Sequence, residues 1–219
     1  MISRMDRETI KQALKVYFIM GSTNCLASDP GKILKEAING GITLFQFREK
    51  GLNALAGKEK RSLAMRLQSI CKEHGIPFII NDDIELAIEL EADGVHIGQE
   101  DEPAEAVRAK IGDRILGVSV HSLEEAEAAQ RAGADYFGIG PVFATVTKED
   151  AKPERGTVLI EMLREKGFQV PIVGIGGIHA GNAASVIEAG ADGVSVITAI
   201  STAKDAAAAA AELKKSVGV

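Results

Sequence analysis

The run Gln46-Phe47-Arg48-Glu49-Lys50 places an amide and two cations at alternate positions. In an extended segment, residues two apart share a face, so Gln46, Arg48 and Lys50 point together. Arg binds phosphate oxygens bidentately and Lys supplies a point charge, so the trio suits a diphosphate clamp. The alternative is a solvated loop with one Arg–Glu pair. A second acidic group follows in Asn81-Asp82-Asp83 and again at Asp101. Two carboxylates at neighbouring strand ends suit Mg2+, which takes one or two carboxylates plus phosphate oxygens and water. Asp83 also reads as the N-cap of a helix starting at Ile84. Asp82 and Asp101 are therefore the better metal candidates, although Glu100 and Glu102 flank Asp101 and spacing does not choose among the three.

Two further stretches carry anion-binding chemistry. Thr145-Val146-Thr147-Lys148 lies in a stretch, 141–155, longer than an ordinary strand-to-helix turn, and hydroxyls with a Lys suit a monophosphate. Gly174-Ile175-Gly176-Gly177, together with 195–201, offers backbone N–H groups to a phosphate, or else a tight turn needing positive φ. Of the histidines, His74 reads as a helix end and His179 as a helix start. His96 is left between pocket and core, and His121 follows Ser119 towards the rim. No HxH, HExxH or GxSxG spacing occurs, so neither a zinc centre nor a nucleophile elbow is expected.

These groups need a scaffold that brings them to one place. Eight short β-branched runs recur, at 16–20, 42–47, 77–81, 94–97, 115–119, 135–140, 171–175 and 193–197, most of them continuously apolar. Such runs fit parallel strands covered on both faces. Helical patterns lie between them, the longest at 54–74. Several stop at Gly: Gly40-Gly41, Gly75, Gly133, Gly167 and Gly190. Ser122 and Glu125 have capping-box spacing, and the Ala run 206–211 suits a last helix. Ala-Asp-Gly-Val recurs at 92–95 and 191–194, with Ala134-Asp135 opening a similar strand. Nearly every strand ends in polar or Gly-rich sequence, and a closed barrel brings all those ends around one centre. The expected fold is α/β: a single (β/α)8 TIM-barrel domain over 1–219, with an extra N-terminal helix before residue 16 closing its bottom.

Composition bounds the setting. Apolar residues make up 46% and charged residues 26% of the 219, as in globular proteins. No apolar run approaches the ~18 residues of a membrane helix, and residues 1–14 lack the apolar stretch of a signal peptide. Cys25 and Cys71 are too far apart to suggest a metal or disulfide framework, so a reducing, cytoplasmic home is expected. A net charge of −6 without a basic cluster argues against nucleic acid as a partner. The sequence leaves the oligomeric state open.

Taken in order, Gln46 to Lys50, Asn81-Asp82-Asp83, His96-Ile97-Gly98-Gln99-Glu100-Asp101, Gly117-Val118-Ser119, Thr145-Val146-Thr147-Lys148 and Val173 to Gly177 resemble the thiamine-phosphate synthase family. The resemblance runs from Tyr17 to about Ile200. It implies a transferase that joins 4-amino-2-methyl-5-hydroxymethylpyrimidine diphosphate to a thiazole phosphate, releasing diphosphate with Mg2+. Carried over, Gln46, Arg48, Lys50, Asn81 and Ser119 would hold the pyrimidine diphosphate. Asp82 and Asp101 would bind Mg2+. Thr145, Thr147 and Lys148 would hold the thiazole phosphate, and Gly177, Ile197 and Thr198 would complete its cradle. Phe47, Glu49 and Val146 belong to the same binding segments. Arg48, Lys50, Ser119 and Lys148 are the residues expected to act in catalysis. The family mechanism is dissociative, and so needs charge stabilisation on the leaving diphosphate rather than a general base. Ala144 stands where the family usually has Pro, and Thr198 where Ser is common. A thiazole tautomerase, the nearest rival, would be expected to lack Lys50, Asp82, Asp101 and Lys148. A non-catalytic phosphate-binding paralogue and a sugar-phosphate isomerase are the other rivals; an isomerase would need an acid/base pair that no residues here suggest.

Overall fold

The computed structural model describes residues 4–25, 28–145 and 155–218. Eight parallel strands close in chain order into a barrel. They are β1 Val16–Met20, β2 Leu44–Phe47, β3 Phe78–Asn81, β4 Gly94–Ile97, β5 Ile115–Val120, β6 Tyr136–Ile139, β7 Ile172–Ile175 and β8 Gly193–Val196. The helices are α1 Arg7–Leu14, α2 Pro30–Gly40, α3 Gly57–Glu73, α4 Ile84–Glu89, α5 Ala104–Ile111, α6 Leu123–Arg131, α7 Val158–Glu165, α8 Ala183–Glu188, α9 Thr198–Ser201 and α10 Ala206–Ser216. Each strand lies within two residues of the run read from sequence. Helix α3 begins later than expected because the Leu55 N–H donates to Glu49 Oε1 at 2.8 Å, which keeps the chain before α3 extended.

Two cores hold the barrel. One lies between strands and outer helices, with Phe18, Phe45, Phe47, Phe78, Val95 and Leu116 meeting Leu34, Leu67 and Val107. The other fills the barrel interior, where Tyr17, Ile19, Leu44, Ile79, Ile115 and Val173 are joined by Ile10 and Leu14 of α1. The extra helix therefore plugs the lower end. The Gly193 position admits it: a Cβ there would overlap the Leu14 carbonyl. Gly41, Gly75, Gly133, Gly167 and Gly190 all take positive φ after their helices, as the sequence suggests. Ser122 caps α6 by accepting from Glu125 N, while the Glu125 carboxylate turns back to His121 N at 2.7 Å.

The recurring Asp gains a physical role at the barrel bottom. The residue before each even-numbered strand accepts the first N–H of an odd-numbered strand or its neighbour. Thr43 Oγ1 accepts from Val16 N, Asp93 from Phe78 N, Asp135 from Leu116 N and Asp192 from Ile172 N. Two arginines reinforce the pattern. Arg108 donates to Asp135 Oδ2 at 2.6 Å and to the Gly112, Arg114 and Gly133 carbonyls. Arg164 donates to Asp192 Oδ2 at 2.6 Å and to the Phe168, Val170 and Gly190 carbonyls. The Asp135 side chain is only 7% exposed. Asp135→Ala removes the acceptor of Leu116 N and the carboxylate partner of Arg108 and Arg4. The expected loss in urea unfolding is about 3–5 kcal/mol, the cost of removing one partner of a buried ion pair. A loss below about 1 kcal/mol, the value of an exposed pair, would show that these clamps do not hold the barrel.

Candidate active site

The upper ends of the strands surround a cavity of about 610 Å³. Gln46, Arg48 and Lys50 all line it, because the pleat of β2 and its extension aim alternate side chains inward. The same pleat turns the side chains of Phe47 and Glu49 away from the cavity. Phe47 is buried in the outer core, stacked on Phe78 with ring centroids 6.5 Å apart. Glu49 accepts from Ser22 N at 2.8 Å, from Ser22 Oγ at 2.5 Å and from Leu55 N. Neither side chain lines the cavity. Glu49 instead ties together the loops after β1 and β2.

Asn81, Asp82 and Asp101 line the cavity beyond β3 and β4. Asp82 takes φ +62°, a left-handed conformation that Asp tolerates better than most residues. Lys50 Nζ donates to Asp82 Oδ2 at 2.8 Å, and Asp101 Oδ2 accepts from Gly98 N at 2.7 Å. Burial, then the adjoining Asp101 carboxylate, raise the Asp82 pKa above its ordinary value, against the opposing pull of Lys50. Glu102 is turned elsewhere, accepting from Lys110 Nζ at 2.9 Å, so Asp101 rather than Glu102 meets Asp82. Asp83 caps α4 by accepting from Leu86 N and pairs with Lys60 at 2.6 Å, as its position before a helix predicts.

Thr145, Gly177, Ile197 and Thr198 line the cavity beyond β6, β7 and β8. Gly177 has φ +63°, and a Cβ there would sit 2.5 Å from the Ala144 carbonyl oxygen. The segment after β6 thus packs directly on the glycine turn, with Phe143 N donating to Gly176 O. Val146, Thr147 and Lys148 lie outside the described residues.

Below the cavity, Ser119 and His96 are joined to two buried hydroxyls that no motif marks, those of Tyr17 and Tyr136. Ser119 Oγ is 2.9 Å from His96 Nε2, and His96 Nδ1 is 2.9 Å from the Tyr136 hydroxyl. The Tyr136 hydroxyl is 2.8 Å from that of Tyr17, which accepts from Gln46 Nε2 at 2.6 Å. His96 thus belongs to both pocket and core. His179 lies in the loop before α8 rather than at its start, and lines the cavity along with His121. The sequence signal for Tyr17 and Tyr136 was weak: a buried phenol needs a partner, but continuous apolar strands hide which face looks inward.

Residues 16–200 match the family described as thiamine monophosphate synthase. The chain belongs to this family. It is 60% identical to the thiamine-phosphate synthase of Bacillus cereus over 94% of this chain and 91% of that one. It is 58% identical to that of Bacillus velezensis, over 99% and 96%. Among solved structures, a thiamine phosphate pyrophosphorylase from Pyrococcus furiosus superposes with TM-score 0.84 at 34% identity, covering 95% of this chain and 97% of that one. A 3-hexulose-6-phosphate synthase, at TM-score 0.68 and 20% identity, shares the fold. In this chain of the family, cations and carboxylates converge on one cavity.

Proposed function

We propose that this barrel condenses 4-amino-2-methyl-5-hydroxymethylpyrimidine diphosphate with 4-methyl-5-(2-phosphoethyl)thiazole, giving thiamine phosphate and diphosphate in thiamine biosynthesis. The observation that carries this reading is the convergence of Gln46, Arg48 and Lys50 on the Asp82–Asp101 pair within one cavity, in a chain of this family. Arg48 and Lys50 hold the diphosphate and meet its charge as the C–O bond breaks. Asn81 and Ser119 orient the same substrate. The apolar walls, Ile19, Val173 and Ile175, exclude water from the cation left behind. The thiazole nitrogen then attacks that cation. Thr145, Gly177, Ile197 and Thr198 cradle the thiazole phosphate, and Val146, Thr147 and Lys148 are assigned to the same task from sequence, with Lys148 also reaching the diphosphate.

The acid pair fits a resident Mg2+. Two carboxylates facing each other under desolvation are held against their own repulsion, which a divalent cation relieves. Asp82 and Asp101 would hold it. When bound, the ion supplies charge neutralisation on the leaving diphosphate.

Residues 1–219 act as one domain in this reading, in the cytoplasm, with small phosphorylated molecules as partners and neither nucleic acid nor membrane. No helix among the described residues is long and apolar enough to cross a membrane. The residue assignments are tested by initial-rate kinetics. Arg48→Ala is expected to raise KM for the pyrimidine diphosphate about 10–100-fold, the value of a charge-assisted hydrogen bond, and to leave KM for the thiazole phosphate nearly unchanged. Thr198→Ala is expected to do the reverse, with a smaller effect. Equal effects of both variants on both substrates would remove the case for two separate anion sites. Turnover of a thiazole substrate alone would mark the tautomerase instead.

A further inference from the structure

We propose that Tyr17 and Tyr136 are positioning residues that impose one direction on a hydrogen-bond chain through the barrel interior, holding His96 as the Nε2–H tautomer and turning the Ser119 hydroxyl into a donor towards the substrate. The chain runs Gln46, Tyr17, Tyr136, His96, Ser119, with every link between 2.6 and 2.9 Å. Gln46 sets its direction. The Gln46 amide N–H donates to the Tyr17 oxygen, so the Tyr17 proton must go to the other neighbour of that oxygen, the Tyr136 hydroxyl. The Tyr136 proton is then left for His96 Nδ1, which must be an unprotonated acceptor. A neutral imidazole with Nδ1 accepting carries its proton on Nε2, and that proton points at Ser119 Oγ. Ser119 accepts from His96 and keeps its own proton for an acceptor in the cavity.

The surroundings keep the chain in this state. Tyr17 and Tyr136 are 1% and 0% exposed, so a proton without a partner would be costly at either. Burial pushes both phenols far above their ordinary pKa, so neither becomes a phenolate acceptor. Gly117 leaves the space in which phenol and imidazole meet: a Cβ there would overlap the Tyr136 hydroxyl and come within 2.5 Å of His96 Nδ1. Gly138 does the same on the other side, with its Cβ position 3.0 Å from His96 Cε1. The His96 and Tyr136 rings lie 5.5 Å apart and 30° from parallel. The chain transfers no proton. It fixes which way each hydroxyl points before substrate arrives.

The catalytic use of the Ser119 donor rests on the transferase reading, but the direction of the chain does not. The experiment is therefore long-range 15N–1H correlation of histidine-labelled protein without substrate, at a pH where the imidazoles are neutral. The His96 signals are assigned by their loss in a His96→Asn variant. The expected result is a pyrrole-type Nε2 and a pyridine-type Nδ1 in the parent protein. Tyr136→Phe keeps the ring and removes the hydroxyl that donates to Nδ1. It is expected to give mixed tautomers, with kcat lowered about tenfold, as for one lost hydrogen bond, and KM for the thiazole phosphate unchanged. Tyr17→Phe is expected to move the tautomer ratio the same way, and serves if Tyr136→Phe does not fold. A protonated Nδ1 in the parent protein, or an unchanged tautomer in the folded variants, overturns the proposal. A missing transferase activity with the expected tautomer would instead refute only the reading of the cavity.

Discussion

Asp82→Asn is expected to lower kcat/KM about 10²–10³-fold, comparable to losing one preorganised electrostatic group at a reaction centre. The barrel should fold unchanged. Asn keeps the size of Asp and accepts the same left-handed φ of +62°. It loses the negative charge that Lys50 meets at 2.8 Å, and with it half of the carboxylate pair assigned to Mg2+. The two carboxylates repel each other in a partly desolvated site, so neutralising one should leave the urea midpoint where it was or raise it. Lower activity without lower stability is the signature of a group arranged for function rather than for folding. Titrating Mg2+ into the variant should show a weakened requirement midpoint. Near-parental kcat/KM in Asp82→Asn, and also in Asp101→Asn, would move the acidic site elsewhere.

Gly177→Val is expected to lower kcat/KM for the thiazole phosphate by about 10²-fold, the scale set by displacing a substrate-binding group by about an ångström. Two physical effects combine at this position. A β-branched residue at φ +63° is strained, and its Cβ would lie 2.5 Å from the Ala144 oxygen and 2.8 Å from Phe143 Cβ. Backbone, not a flexible side chain, stands in the way. Either the turn after β7 or the segment after β6 must shift, and both line the cavity at Gly177 and Ala144. Gly75→Ala is the control. Gly75 also has positive φ, at +69°, but nothing lies within 4 Å of its Cβ position, and it ends α3 away from the cavity. It should cost only about 1–2 kcal/mol of stability and leave the kinetics alone. Parental kinetics in a folded Gly177→Val protein would show that this turn does not cradle substrate.

Much of this architecture can be read from the residues themselves. Parallel strands covered on both faces must be continuously apolar, so eight such runs mark out the barrel. Alternation gave the shared face of Gln46, Arg48 and Lys50, and a carboxylate before an apolar helical pattern gave the cap at Asp83. What the residues do not reveal has one physical source. Where both faces of a strand are buried, composition does not distinguish the interior of the barrel from its outer layer. The outer-layer place of Phe47 and the interior place of the Tyr17 and Tyr136 hydroxyls are therefore not legible in the composition of their strands. The repeated Asp was visible as a pattern, but its partner N–H lies on a strand about 15 to 20 residues earlier. Glu49 shows the same limit on a smaller scale, since its hydrogen-bond donors, on Ser22 and Leu55, lie in loops that meet only when β1 and β2 pair.

In the proposed reaction, one cavity breaks the pyrimidine–diphosphate bond and forms the bond to thiazole. The direct measurement is product stoichiometry when the purified chain is mixed with both substrates and Mg2+, with diphosphate and thiamine phosphate quantified in the same quenched samples. The two products are expected to appear together in equal amounts, and omitting the thiazole phosphate or chelating the metal is expected to abolish thiamine phosphate formation. Binding of both substrates with no diphosphate released, or steady diphosphate release with no thiamine phosphate formed, would contradict it.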